Sequence, residues 1–310
     1  MINEESGNFD DEIDLKELFH AVFNGRWIIA SITSIISVIV VVYSLILPDI
    51  YESKAILTPV NSTNGISGAI QSYSGLAGLA GINLPYGDDD SNHLKALKKI
   101  NSLSFFKNNI LTNINLPDLM AVKNWDHDTN SIIYDSNIFE INSNTWVRKY
   151  SYPQQEIPSA QESFKVFAKK HLSLNEDSQT GHITLSIRHQ SPFIAQQWSE
   201  LIVSEINNFY KEKDKSESEK AASFLNQQIS MSDLSEINQV LSQLLQEELK
   251  KLTLIEANQY YVFEYIDPPA VMEEKSEPDR ASIIILGTIF GFILSVSIIL
   301  IRHYSILKQT

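Results

Sequence analysis

The chain contains no cysteine among its 310 residues. Disulfides, thiolate zinc centres and a cysteine nucleophile are thereby excluded, while either redox compartment stays compatible. No Gly-Lys dipeptide occurs, so no phosphate-binding P-loop can form. A Gly-x-Ser-x-Gly elbow and a His-Glu-x-x-His pair are missing too, and no two carboxylates sit in a motif that fixes an acid and a base. The expectation is a non-enzyme with no catalytic residue, no metal and no cofactor. Positive charge is scarce: 24 Lys+Arg stand against 38 Asp+Glu, a formal charge of -14. An acidic surface argues against nucleic acid as a partner and against lying flat on anionic lipid.

Long apolar runs are few, Trp27 to Leu47 and Ala281 to Ile301. At about 1.5 Å per residue each extends roughly 30 Å, the thickness of a bilayer's hydrocarbon core. They divide the chain into a tail (1–26), a first span (27–47), a large domain (48–280), a second span (281–301) and a tail (302–310). The domain carries 20 Lys+Arg and 31 Asp+Glu, so it is acidic by itself. Its length suffices for one sizeable core or two lobes. The first tail holds Glu4, Glu5, Asp10, Asp11, Glu12, Asp14 and Glu17, the wrong charge for a signal peptide, so the first span reads as an uncleaved anchor. Ile13, Leu15, Leu18, Phe19, Val22 and Phe23 give an amphipathic helix ahead of it, either docking on the membrane surface or capping the span. Arg26, Arg302 and Lys308 flank the outer ends and favour cytoplasmic tails. The last tail is expected to be too short for a kinase or signalling module.

Between the spans, Ile50 to Thr58 alternates as a strand. Residues 64–87 hold six of the eleven glycines. Gly75, Gly78 and Gly81 mark its centre, as a mobile loop or as a close-packed seam between subunits. His93 to Leu111 reads as a helix with Leu94, Leu97, Ile100 and Leu103 in a stripe. Strands are expected at Ser131–Tyr134 and Thr145–Tyr150. Ser159 and Glu162 form a capping-box signature for a helix to Leu172. A hairpin follows over 172–189, its histidines, His182 and His189, placed at the surface. Ser191-Pro192 opens a long helix. It is wholly polar from Lys211 to Lys220, which predicts that it leaves the core there. A second helix carries Leu234, Ile237, Leu241, Leu244, Leu252 and Ile255 at coiled-coil spacing, with Glu248 on the seam. These two helices, within 192–258, are expected to project as a hairpin against which neighbouring copies pack, Leu241 and Leu244 marking the seam. The charged 211–220 stretch would face a neighbouring copy or a growing polymer. Tyr260 to Ile266, nearly all apolar, predicts a central strand.

The approach to the second span is spaced by Pro268, Pro269 and Pro278 and ends at Arg280, a backbone restricted where domain meets bilayer. Within that span Gly287, Gly291 and Ser295 share one face, allowing another helix close approach. The partner is either the first span, through Ala30, Ser34 and Ser37 or Val38, or a polymerase or second copy.

Together these features resemble the Wzz-type chain-length determinants, polysaccharide co-polymerases without a kinase domain. The resemblance rests on an acidic tail before Arg26-Trp27, the strand from Tyr51, Leu76-Ala-Gly-Leu-Ala-Gly-Ile82, the unit Thr180 to Pro192, and Tyr261 to Pro268 with Pro278-Asp-Arg280. Asp279 departs from the family's usual basic residue. The resemblance implies an α+β periplasmic domain, with a mixed-sheet base and a long helical extension, between two transmembrane helices in a Gram-negative inner membrane. It further implies ring-like homo-oligomers that set the modal length of a polysaccharide, foremost lipopolysaccharide O-antigen, built from undecaprenyl-linked units by a Wzy-type polymerase. A capsule or exopolysaccharide export co-polymerase is the rival reading. A membrane-anchored periplasmic enzyme would need a motif, and a sensor would need a cytoplasmic output.

Overall fold

The computed structural model describes residues 15–60, 91–232 and 234–307. The glycine-rich stretch, with Gly75, Gly78 and Gly81, lies outside the described residues. Contacts divide the chain into two units, one of residues up to Asp49 and from Ser276, the other Ile50–Lys275.

The larger unit is built on a four-stranded sheet of order β6-β7-β1-β8. Its strands are β1 (Tyr51–Pro59), β6 (Leu172–Glu176), β7 (Ile183–His189) and β8 (Phe263–Asp267). The α+β class holds, but among the described residues every pairing is antiparallel, so the sheet they form is not mixed. Ser53, Ala55 and Leu57 alternate into the core from β1. Nearly all of β7 is covered, with Ile183, Leu185 and Ile187 fully buried and Ser186 and His189 buried as well. The expectation of a surface His189 is therefore wrong: its side chain closes the end of β7 opposite Tyr51. Tyr260–Ile266 is not a central strand either. β8 begins only at Phe263 and is the sheet's edge, with Ile266 exposed. The apolar run misled because Val262 enters the core from the segment before the strand.

Helices cover the sheet. Periodicity predicts one helix over His93–Leu111; the structure has α3 (Ser91–Ile100), then α4 (Leu103–Phe105) running into a π-helical turn Phe106–Ile110. Ser102 breaks the run, its hydroxyl accepting the Phe105 N–H at 3.3 Å and so capping a new start. The turn rotates Phe105, Phe106 and Ile110 inward and leaves Leu94 and Leu103 exposed. Next come α5 (Leu116–Met120) and two small hairpins, β2 (Val122–Asp126) with β3 (Ser131–Tyr134) and β4 (Phe139–Glu140) with β5 (Thr145–Trp146). They pack a satellite core of Ala121, Phe139 and Trp146. α6 (Ala160–Val166) continues as a π-helical turn Phe167–His171. Ser159 caps it as expected, at 3.2 Å from the Glu162 N–H. Glu162 does not complete the box, because both of its carboxylate oxygens are taken by the Arg148 guanidinium.

The helical extension is α7 (Pro192–Met231) followed by α8 (Ser235–Ala257). Ser191 caps α7 with Pro192 in its first turn, as the sequence predicts. Its first five turns bury Trp198, Ile202 and Ile206 against the sheet, each contributing roughly 1.5–3 kcal/mol.

The smaller unit has α1 (Leu15–Asn24), α2 (Arg26–Ile46) and α9 (Arg280–Leu307). By length and composition α2 and residues Arg280–Arg302 of α9 can cross a membrane.

Candidate functional site

Three places collect the residues marked by the sequence: the approach to the second span, the seam between the spans, and the helical hairpin.

The approach is latched in the larger unit by two backbone bonds. The Ser53 hydroxyl donates to the Ala270 carbonyl at 2.9 Å, and the Gln196 amide donates to the Pro269 carbonyl at 3.4 Å. Pro269 is buried while Pro268 is exposed. In the smaller unit Arg280 donates to Asp49 at 2.8 Å, pairing the two chain ends at the bases of the spans. Pro278 is half-buried there. Asp279, the departure from the family pattern, caps α9: its carboxylate accepts from the Ser282 N–H and hydroxyl. A Lys or Arg could not do this.

Gly287 and Gly291 lie against α2. A Cβ on Gly287 would sit 2.6 Å from Val40 Cγ1, and one on Gly291 2.8 Å from Ile36 Cγ2. Hydroxyl pairs flank these contacts, Ser37 donating to Thr288 at 3.1 Å and Thr33 beside Ser295 at 3.2 Å. The small-residue face is thus occupied by the chain's own first span. The matching face is Thr33, Ile36, Ser37 and Val40; of the residues expected from α2, only Ser37 is on it. Bulky branched side chains fill the glycine notches better than small ones would, which spacing of small residues alone does not reveal.

The glycine notches give a direct prediction. The chain has no cysteine, so Thr33→Cys with Ser295→Cys is a clean pair, and it should cross-link on oxidation in the otherwise wild-type chain. Adding Gly287→Leu and Gly291→Leu overpacks the seam at about 1–3 kcal/mol per site. The cross-link should then be lost, as gel mobility would show.

Part of the charged stretch of α7 is engaged within the protomer, while Glu212, Lys213, Glu217, Glu219 and Lys220 are exposed. Lys215 pairs with Glu256 of α8. Lys211 donates to the Asn258 carbonyl at 3.2 Å, and the Tyr261 hydroxyl donates to Asp214 at 2.6 Å. Ser218 is fully buried. The polar turns of α7 leave the sheet, as expected, but α8 runs back along them. Leu241 and Leu244 are half-buried in this hairpin. A Glu248 carboxylate oxygen is buried there without a hydrogen-bond partner, the imperfection foreseen on the seam. Phe224, Leu234, Ile237, Val240 and Leu249 are exposed.

Sequence reasoning missed two buried polar groups. Asn207 sits within α7 and is 6% exposed. Its Oδ1 accepts from the N–H groups of Tyr261, Val262 and Phe263 at 3.2, 2.7 and 3.0 Å. Its amide donates to the Val203 and Phe263 carbonyls at 3.1 and 2.9 Å. One side chain thereby ties the long helix to the segment that re-enters the sheet. An Asn directly after Ile206 and one turn beyond Val203, inside the apolar stripe, was the available signal. The second group is a stack of His171, His189 and Trp198, with the two imidazole centroids 5.7 Å apart. Burial, then the neighbouring His189, pushes the His171 pKa down to about 4. Burial lowers His189 as well.

For a metal, the groups that come together among the described residues are the half-buried Asp126 at the end of β2 and the exposed His127 and Asp128 after it. Asp126 already accepts the Thr129 hydroxyl at 2.7 Å and the Asp128 N–H at 3.1 Å, the bonding of an Asx turn.

A family model described as chain length determinant protein, Wzz, matches residues 11–112. Among solved structures the chain is similar to a full-length bacterial polysaccharide co-polymerase. That likeness has 12% identity and a TM-score of 0.40 over 94% of this chain and 98% of the other. It is also similar to a fragment of WzzB, a polysaccharide co-polymerase from Salmonella Typhimurium. Here identity is 12% and the TM-score 0.33 over 74% of this chain and all of that one. Against curated proteins the sequence finds no match.

Proposed function

We propose that this Wzz-type chain regulates the modal length of a Wzy-polymerised surface polysaccharide, foremost lipopolysaccharide O-antigen. It does so as a non-catalytic, homo-oligomeric scaffold for the polymerase. The match over residues 11–112, which takes in the first span and β1, carries the reading. In this reading the chain lies in a Gram-negative inner membrane with both termini cytoplasmic and the β-sheet domain periplasmic. Undecaprenyl-linked polysaccharide is the polymer being timed.

The geometry supports a division of labour. Three charges of α7, on Lys215, Lys211 and Asp214, are engaged inside the hairpin by Glu256, Asn258 and Tyr261, while Glu212, Lys213, Glu217, Glu219 and Lys220 stay exposed. The exposed apolar residues Phe224, Leu234, Ile237, Val240 and Leu249 are the apolar surface the hairpin offers a neighbouring copy. Leu241 and Leu244 act within the protomer. Likewise Gly287 and Gly291 hold the two spans together, so a polymerase meets an outer face of the pair.

Deletion of the gene followed by gel analysis of lipopolysaccharide tests the function. Loss of the modal ladder with polymer still made is the expected result. Loss of surface capsule with the ladder unchanged would replace this reading with an export role.

A further inference from the structure

The spans leave a groove along one edge of their contact, where Thr33, Ser37 and Thr288 of the hydroxyl pairs reach it. It has a volume of about 760 Å³ and is lined by Phe23, Arg26, Ala30, Ser34, Val38 and Phe292, among others. Ala30, Ser34 and Val38, which spacing assigns to the span–span contact, are exposed and line this groove.

We propose that the groove seats an acyl chain of an anionic glycerophospholipid whose phosphate rests on Arg26. The inference depends on α2 and α9 crossing a bilayer, and not on the polysaccharide role. Its first support is length. From Arg26 to Val38 the helix rises roughly 18 Å, close to the ~15 Å depth of one leaflet's hydrocarbon. A partner helix would run alongside for the full ~30 Å, and the groove does not extend that far.

The second support is how the head end is built. The short helix α1 contributes Val22 and Phe23 and walls the groove off there. Gly25, between α1 and α2, is pressed on α9, so closely that a Cβ there would lie 2.9 Å from Ile299 Cγ2. Phe23 stacks on Phe19 at 6.4 Å, and the Arg26 guanidinium lies 4.8 Å from the Phe23 ring centroid. An aromatic shelf therefore holds a cation at the mouth of an apolar slot, at the depth where a span meets headgroups. Among the described residues no carboxylate pairs with Arg26. A lipid phosphate supplies the missing charge, and its chain fills a slot that opens to hydrocarbon.

Native mass spectrometry of the full chain, purified in detergent with equimolar phosphatidylglycerol and phosphatidylcholine added, tests this. The wild type should retain phosphatidylglycerol in preference. Arg26→Gln should weaken that preference about fivefold. Ser34→Phe, at an exposed position that fills the slot, should abolish retention of both lipids. Ile39→Phe, exposed outside the groove, should change nothing. Wild-type retention in both Arg26→Gln and Ser34→Phe would overturn the site. So would displacement of phosphatidylglycerol by a polyprenyl phosphate. Capture of a second protein by Ser34→Cys cross-linking would show a helix as the occupant and also overturn it.

Discussion

Asn207→Ala should lower the melting temperature of the full chain by about 10–15 °C, followed by circular dichroism in detergent. The substitution removes one side chain but strands several backbone groups. The N–H groups of Val262 and Phe263 and the Phe263 carbonyl lose this partner at a buried place, and the half-buried Tyr261 N–H loses it too. Each buried group left unpaired costs about 1–3 kcal/mol, so the total is about 4 kcal/mol or more. A domain with 5–15 kcal/mol of stability in total survives that poorly. The neighbouring Asn208 is exposed, and Asn208→Ala should stay within about 0.5 kcal/mol of wild type. A melting temperature that falls equally in both variants would mean that helix propensity, not the pinned segment, is being measured. The effect reaches function through connectivity, because Asn207 holds the chain where it turns from the hairpin back into β8, and β8 leads on to Pro269 and the second span.

How much of this was legible in the sequence depends on the kind of residue. Where local chemistry decides, it was read directly. Ser191-Pro192 starts α7, Ser159 starts α6, and β7 and the two apolar spans fall within a residue or two of expectation. Where a residue's role is set by what arrives from elsewhere in the chain, it was not. Tyr261 and Val262 look like the inside of a central strand, yet they precede an edge strand and are fixed by a helix more than fifty residues earlier. Gly287 and Gly291 were found by spacing, but their partners Val40 and Ile36 were not, because small residues predict a notch and not what fills it. The charged turns of α7 looked ready for an external partner. Only the return of α8 shows that Lys215 and Asp214 are already engaged. Histidines at the ends of a strand look solvated, yet only His182 alternates with the apolar residues, while His189 is in step with Ile183, Leu185 and Ile187. The strand's period therefore puts His189 on the buried face, and only its partner there, Trp198, is supplied from elsewhere in the chain.

That buried histidine pair makes acid the condition to which the domain should respond most. The Ser191 N–H donates to His189 Nδ1 at 2.9 Å, so the proton is on Nε2, which donates to the Asp118 carbonyl at 2.9 Å. Both nitrogens are committed, and a second proton on Nδ1 would face the Ser191 N–H at the start of the long helix. His171 Nδ1 lies 2.7 Å from the Arg188 carbonyl and donates to it. A second proton on this ring would be buried beside His189, Lys170 and Arg188, all of which hold the His171 pKa down, after burial itself, to about 4. In the unfolded chain a histidine titrates near 6.5. Between these values the unfolded state binds the proton and the folded state does not, so stability rises with pH across that window. His171 therefore contributes roughly 3 kcal/mol that is present above pH ~6.5 and gone by pH ~4. Going from pH 7 to pH 5 should cost the wild type about 2 kcal/mol through His171 alone, or roughly 6 °C in melting temperature. His189 shifts in the same direction and adds to it. His171→Gln keeps a donor for the Arg188 carbonyl but cannot take up a proton, so its melting temperature should fall less over the same interval. An equal fall in wild type and His171→Gln would place the acid sensitivity in other groups. A larger loss in the variant already at pH 7 would mean that the imidazole's packing on Trp198 outweighs its titration.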